Sequence, residues 1–220
     1  MNILALDSST EACSAALLRD DGALFGQFEI APRQHNRLLP KMMDRVLGAA
    51  DVSKTELTHC AFANGPGAFT GIRIAAAQAQ GIGLALQLPL LPISTLAVLA
   101  QLSLQRLGGD RALVALDARM DQIYWAVYVR NESLAVLQGK ENLSPAQDMV
   151  IDADIDCGAG HGWVDSLRAR ASFPLDPGLL PDARAMLALA RADALAGRGI
   201  AADRIRINYL RNRVAEKSGV

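Results

Sequence analysis

Aromatic side chains make up only 5% of this 220-residue chain, neither sign of charge dominates, and cysteine and histidine number three each. Each shortage removes a class of function. A formal charge of −1 argues against a protein that grips nucleic acid through bulk electrostatics, although a local patch stays open. Cys13, Cys60 and Cys157 are odd in number, far apart and without metal spacing, so they read as reduced, mostly buried thiols. His35, His59 and His161 are equally scattered, and nothing looks like a zinc site. Apolar residues reach 51%, but in short runs broken by Gly, Pro or charge, none long enough to span a bilayer. The opening Met1-Asn2-Ile3-Leu4-Ala5-Leu6-Asp7 lacks a cationic region and meets an acid too early for a signal peptide, so a cytoplasmic protein without a membrane partner is expected.

What is present begins with glycine. Residues 64–73, Asn-Gly-Pro-Gly-Ala-Phe-Thr-Gly-Ile-Arg, join a turn that only glycine and proline can make to a helix start that Thr70 can cap. Backbone amides at a helix N-terminus suit either anions or tight packing. Gly65, Gly67 and Gly71 fit neither the P-loop nor the GxGxxG spacing, which favours a structural turn over a phosphate cradle.

An internal repeat organises the chain. Leu4-Ala5-Leu6-Asp7 is echoed by Val114-Ala115-Leu116-Asp117, and the same offset of about 110 residues matches Leu17 to Val127, Asp21-Gly22 to Asn131-Glu132 and Leu24 to Leu134. Each half therefore opens with a three-stranded meander, turning at residues 20–22 and 131–133. Helices are expected over residues 34–49 and 70–88 in the first half and 181–196 in the second. Strands near residues 60–63, 90–92 and 155–157 continue the sheets. The expected architecture is two α/β lobes, residues 1–108 and 109–220, with a terminal segment from about residue 205 packing back on the first.

Two helices and the C-terminus raise questions of contact. In the helix from Gln34, the positions Leu38, Leu39, Met42, Met43, Val46 and Leu47 cover more of the circumference than one core contact requires, so part of that face is a candidate partner interface; the alternative is a helix wedged between two elements of its own lobe. Pro40 would delay or kink its start. The helix after Thr70, with Ala75, Ala76, Ala77, Ala79, Gly81 and Gly83, has a smooth surface that another backbone can approach. At the C-terminus Arg204, Arg206, Arg211, Arg213 and Lys217 face only Asp203 and Glu216, which makes Arg211, Arg213 and Lys217 candidate RNA or partner contacts. The plainer reading there is a solvated segment with Tyr209 and Leu210 packed back and Arg211 paired to an acid.

These residues together resemble a family. The run from Ile3 to Thr10, Gln34-His35 through Leu38-Leu39-Pro40, the segment from Gly65 to Arg73, Ile93-Ser94-Thr95-Leu96, Asp117-Ala118-Arg119 with Tyr124, and Tyr209-Leu210-Arg211-Asn212 are similar, in order, to the TsaB (YeaZ) family. The resemblance implies a duplicated actin-like fold, also called RNase H-like or ASKHA. It implies a subunit of the bacterial machinery that places a threonylcarbamoyl group on N6 of the adenosine following the anticodon, in tRNAs reading codons that begin with A. The implied partners are a TsaD-type catalytic paralogue, a TsaE-type ATPase, a second copy of the chain when it is alone, and tRNA through the complex. Departures are modest: Gln122 stands where a Glu is frequent, Ala75-Ala76 where a glycine is, and Ile207 where a proline is.

The same resemblance explains an absence. The catalytic paralogue holds a metal with two histidines one helical turn apart, and residues 92–99 correspond to that stretch, putting Thr95 and Leu99 at the two positions. Neither offers an imidazole. No catalytic, metal or cofactor residue is therefore expected in the isolated chain, and the subunit junction is left as the place for ATP or ADP. Residues 158–162, Gly-Ala-Gly-His-Gly, form the one glycine-rich candidate for an adenosine clamp and read better as a turn. A noncatalytic scaffold and dimerisation subunit is the leading reading. One alternative is a self-sufficient actin-like ATPase or phosphotransferase, in which Asp7 and Asp117 would be weak candidates to orient a metal and a water. Their plainer role is to bond local turn amides. The other is a glycoprotease-type metallopeptidase, which no metal pair supports and for which Ser8 and Ser9 have no histidine placed nearby in sequence.

Overall fold

A computed structural model describes residues 1–211. The first half runs β1 (Ile3–Asp7), β2 (Ala12–Leu18), β3 (Leu24–Ile30), α1 (His35–Ala50), β4 (His59–Ala63), α2 (Phe69–Leu86), β5 (Leu90–Ile93) and α3 (Thr95–Leu107). The second runs β6 (Arg111–Arg119), β7 (Gln122–Asn131), β8 (Leu134–Pro145), β9 (Cys157–Ala159), α4 (Asp165–Arg168), β10 (Leu175–Asp176) and α5 (Ala183–Leu195). The expected meanders, both hairpin turns and three helices are present within one or two residues. Three elements escaped the sequence: α3, the one-turn α4 and the two-residue β10.

The two sheets repeat one topology. The first has the order β3-β2-β1-β4-β5 and the second β8-β7-β6-β9-β10, antiparallel across each meander and parallel beyond it. The constant offset does not carry into pairing register, however. Leu4 faces Leu17, whereas Val114 faces Ala126, one residue short of the matching partner, because a bulge between Asp117 and Arg119 shifts β6 on β7. The second hairpin is also tighter, with Asn131 pairing directly to Leu134.

Strand alternation sets the cores. On the first sheet Leu4, Leu6, Cys13, Leu17 and Phe62 face α1 and α2, while Ile3, Ala5, Ala16 and Ala61 face α5. On the second, Val114, Leu116, Ala126 and Tyr128 face α3, and Leu113, Ala115 and Val127 face Trp163 and Leu167. The chain therefore exchanges helices between sheets. The last helix, in the second half of the sequence, covers the first sheet, and α3, from the first half, covers the second.

The wide apolar face of α1 is corrected by this packing. Leu38, Leu39, Met42, Met43, Val46 and Leu47 are between 0 and 9% exposed in the isolated chain, buried in the core shared with β2 and α2. The face is wide because the helix is wedged between two elements of its own lobe, so these side chains offer no surface to a partner. The helix starts at His35 and continues through Pro40, so its start is not delayed.

Candidate functional site

A cleft of about 770 Å³ opens where the two sheets meet. From the first half it is lined by the β1–β2 turn (Ser9, Thr10, Glu11), the start of α1 and the glycine segment before α2. The second half contributes Leu116 through Met120, Tyr124 and His161, and Asn208, Tyr209 and Arg211 close one end.

The glycine segment is shaped by close packing. Gly65 has φ +97°, and a Cβ there would come within 2.9 Å of the Asn208 carbonyl. At Gly67 and Gly71 a Cβ would run into the carbonyl oxygens of Ser9 and Ser8. The Ala68 amide donates to Ser9 O at 2.7 Å, and the Ser8 hydroxyl donates to Gly71 O at 2.8 Å. These contacts account for the three glycines by close backbone packing against the β1–β2 turn and Asn208. Thr70 is not the cap: α2 begins at Phe69 after Ala68, with no side-chain cap bond. Residues 158–162 behave alike, since a Cβ at Gly160 or Gly162 would collide with the β6 backbone at Ala115 and Leu116.

The aspartates at the end of β1 and near the end of β6 each bond the amide two residues on. Asp7 Oδ1 accepts from the Ser9 amide at 2.8 Å and the Ser9 hydroxyl at 2.7 Å, and its Oδ2 is buried without a partner. Burial pushes its carboxyl up from 3.8 to about 6, against the lowering effect of the Ser9 bonds. Asp7 does not line the cleft. Asp117 does, but its Oδ1 accepts from the Arg119 amide at 2.7 Å and its Oδ2 pairs with the Arg119 guanidinium at 2.9 Å. The Asp117 amide donates to His161 Nδ1 at 2.9 Å. That bond orients the ring so that Nε2 faces Glu11 Oε2 across the cleft at 3.8 Å. Among the described residues no three His, Cys, Asp or Glu side chains gather so as to hold a metal ion.

Thr95 and Leu99 are both fully buried in α3. The Thr95 amide donates to Gly65 O at 2.9 Å, its hydroxyl oxygen has no partner, and Leu99 lies against Gly160. Apolar packing fills the place where the resemblance puts metal ligands.

Two features were not legible in the sequence. Glu141 on β8 accepts from the Ser94 hydroxyl at the head of α3, from Tyr128 OH at 2.8 Å and from Asn208 Nδ2 at 2.8 Å, which joins the C-terminal segment to both sheets. Burial first and this carboxylate second hold the Tyr128 phenol well above its usual range. No pattern around residues 138–145 signals the hub. The other is Arg211, which donates to Ala118 O at 2.9 Å and Arg119 O at 3.3 Å, so the expectation of an acid partner is corrected: carbonyls hold it among the described residues. Tyr209 lies beside Phe69, as a segment packed back on the first lobe would have it. Arg213 and Lys217 lie outside the described residues.

With this geometry in hand, the relatives are informative. The family described as TsaD, tRNA N6-adenosine threonylcarbamoyltransferase, matches residues 28–155. The tRNA threonylcarbamoyladenosine biosynthesis protein TsaB of Escherichia coli is 36% identical, over 99% of this chain and 97% of its own. Its Haemophilus influenzae counterpart is 34% identical, over 99% and 96%. The chain belongs to the TsaB family. Its fold agrees: a Pseudomonas aeruginosa protein with similarity to the peptidase YEAZ superposes with TM-score 0.90 at 40% identity, over 96% of this chain and 99% of that one. YeaZ from the same organism gives 0.88 at 39%, over 95% and 99%. Two five-stranded mixed sheets flanked by helices make this the duplicated, two-lobed actin-like fold. Among the described residues no helix is long and apolar enough to cross a membrane.

Proposed function

We propose that this chain works in tRNA threonylcarbamoyladenosine biosynthesis as a noncatalytic subunit, binding and ordering a TsaD-type catalytic paralogue. The names of its relatives support the pathway. The observation that carries the scaffold reading is the outer face of α2. There Ala77, Gly81, Leu84 and Ala85 are exposed along one stripe, and a Cβ added at Gly81 would meet nothing within 4 Å. A glycine in mid-helix costs roughly 0.5–1 kcal/mol relative to alanine. Nothing inside the chain requires that cost, whereas a second backbone pressed against the stripe would. This outer face, in place of the buried face of α1, is the surface we assign to the paralogue or, when the chain is alone, to a second copy.

The interior points the same way. Thr95 and Leu99 are packed as core residues, and of the two acids lining the cleft Asp117 is ion-paired to Arg119 while Glu11 faces only His161. A TsaE-type ATPase and tRNA would meet the assembly rather than this chain's cleft, with ATP or ADP held at a subunit junction. The test is a thermal-shift titration with ATP and Mg²⁺ on the chain alone and with the catalytic paralogue, alongside an assay of threonylcarbamoyl transfer. A shift and transfer only in the mixture support the reading. ATP turnover or stoichiometric divalent metal in the isolated chain would overturn it.

A further inference from the structure

Aromatic residues are scarce in this chain, yet two of the large exposed ones lie together at the mouth of the cleft. Phe69 is 54% exposed and Tyr209 41%, with ring centroids 6.3 Å apart and planes tilted by 37°. The Arg73 guanidinium lies 3.2 Å from the centroid of Phe69 and 5.2 Å from that of Tyr209, and it donates to the Phe69 carbonyl. Arg211 is close by on the same rim, bonded to carbonyls. Neither arginine has a carboxylate at ion-pair distance among the described residues, in contrast to Arg19, Arg119 and Arg184, which do.

Exposed rings cost free energy in water, and these two keep about half their surface open even after packing on each other and on Arg73. Phe69 begins α2 but points most of its surface away from the core that Ile72 and Ala75 enter. A protein partner could use such rings. The charges decide between occupants: Arg73 is stacked on a ring, and Arg33, Arg119 and Arg211 line the cleft that both rings border, against the acids Glu11 and Asp117, of which Asp117 is already paired to Arg119, so a cationic excess remains around an aromatic surface. Planar rings interleaved with arginines suit unpaired nucleobases on an anionic backbone, because every base has a π face and every linkage a charge. We infer that Phe69, Arg73 and Tyr209 form a stacking platform for single-stranded RNA, with the rim arginines taking its phosphates. The platform sits at the first turn of α2, roughly 18 Å along the helix from Gly81 at the usual rise per residue. It is a different surface from the proposed partner face and does not rest on that reading.

The test uses the full chain and fluorescein-labelled single-stranded oligoadenylate, read by anisotropy at about 50 mM salt, where weak electrostatic binding is strongest. Phe69→Ala and Tyr209→Ala should each raise Kd about tenfold, a typical loss for one stacked base. Tyr209→Phe, which keeps the ring, should stay close to the native value. Arg73→Gln should weaken binding and lower the slope of log Kd against log salt by about 0.7, the share of one phosphate contact on a single strand. Melting temperatures of the variants check that each is folded, and the ring-keeping variant keeps the test decisive if an alanine is not tolerated. Equal binding by native and alanine variants, or no binding at low salt, would overturn the inference. So would AMP competing as well as the oligomer does per nucleotide, which would mark a free-nucleotide site. Loss of binding to the catalytic paralogue with RNA affinity unchanged would instead mark the rings as a protein contact and would equally overturn it.

Discussion

Replacing Gly81 separates folding from assembly, because the two should respond in opposite directions. Position 81 lies inside α2 on its exposed face, with open space where a Cβ would project. In the isolated chain Gly81→Ala gains helix propensity and removes unfolded-state freedom, for about 0.5–1 kcal/mol of added stability. For a chain of this size that raises Tm by roughly 1–4 °C. If another backbone presses on this stripe, even a methyl group must be accommodated, and Gly81→Leu should overpack the contact by about 1–3 kcal/mol, a five- to 150-fold weaker association. The assay pairs a circular-dichroism melt, at concentrations where sedimentation shows monomer, with a titration of the catalytic paralogue. A leucine at Arg191, exposed on α5, controls for added surface hydrophobicity. Gly48 is equally open but lies in the last turn of α1, where fraying makes glycine cheap, so it gives a weaker signal. A Gly81→Ala variant less stable than native, or a Gly81→Leu variant that assembles as tightly, would refute the argument.

Other expectations follow from burial. Asp7 titrates at about 6 in the folded chain against 3.8, so the native state binds a proton more tightly than the unfolded chain, and stability falls as pH rises from about 4 to 6. At pH 7 the deficit is on the order of 3 kcal/mol; Asp7→Asn should therefore melt above native at neutral pH, with the gain vanishing near pH 4, and a pH-independent difference would count against it. Met42→Ala, in the core between α1 and the first sheet, should cost about 2–5 kcal/mol in denaturant unfolding, with paralogue affinity of the folded protein unchanged; an affinity loss without destabilisation would restore the interface assignment. Thr95→Val replaces a buried hydroxyl without a partner by a methyl group, so melting temperature and transfer by the assembled complex should hold or rise slightly. A drop in transfer alone would give Thr95 a role.

The frame was legible because its signals are local. The echo of Leu4-Ala5-Leu6-Asp7 in Val114-Ala115-Leu116-Asp117, with turn residues at a matching offset, fixes two meanders, since alternation and turns are properties of neighbours in sequence. What was hidden depends on residues far apart. The helix α3 follows β5 after a single residue and opens on the apolar run Leu96 to Ala100, so it reads as a continuation of the strand's apolar stretch; its cap, Ser94, stands out only as part of a motif. The exchange of α3 and α5 between sheets leaves no trace in either segment. The width of the α1 stripe was read correctly, but width alone does not say whether the second neighbour is another chain or α2. Glu141 looks like any strand-edge acid until Asn208 arrives from 67 residues away.

The two repeat-related aspartates, Asp7 and Asp117, are poor places to look for function. Both repeats carry an aspartate at or near the end of the first strand whose Oδ1 accepts the amide two residues on, Ser9 in one and Arg119 in the other. The two environments then diverge. Asp7 keeps a free oxygen but is sealed from the cleft and held toward its neutral form, whereas Asp117 is reachable but already paired. Neither of these two aspartates is both accessible and available, and a metal or a water needs both; the cleft's other acid, Glu11, is exposed but faces only His161, and no third ligand joins them among the described residues. On the noncatalytic reading proposed above, what matters is what the outside presents. Features that stay open after internal packing, such as a bare glycine on α2 and the uncovered faces of two rings at the rim, are consequently where substitutions should change assembly or RNA affinity while leaving the folded chain intact.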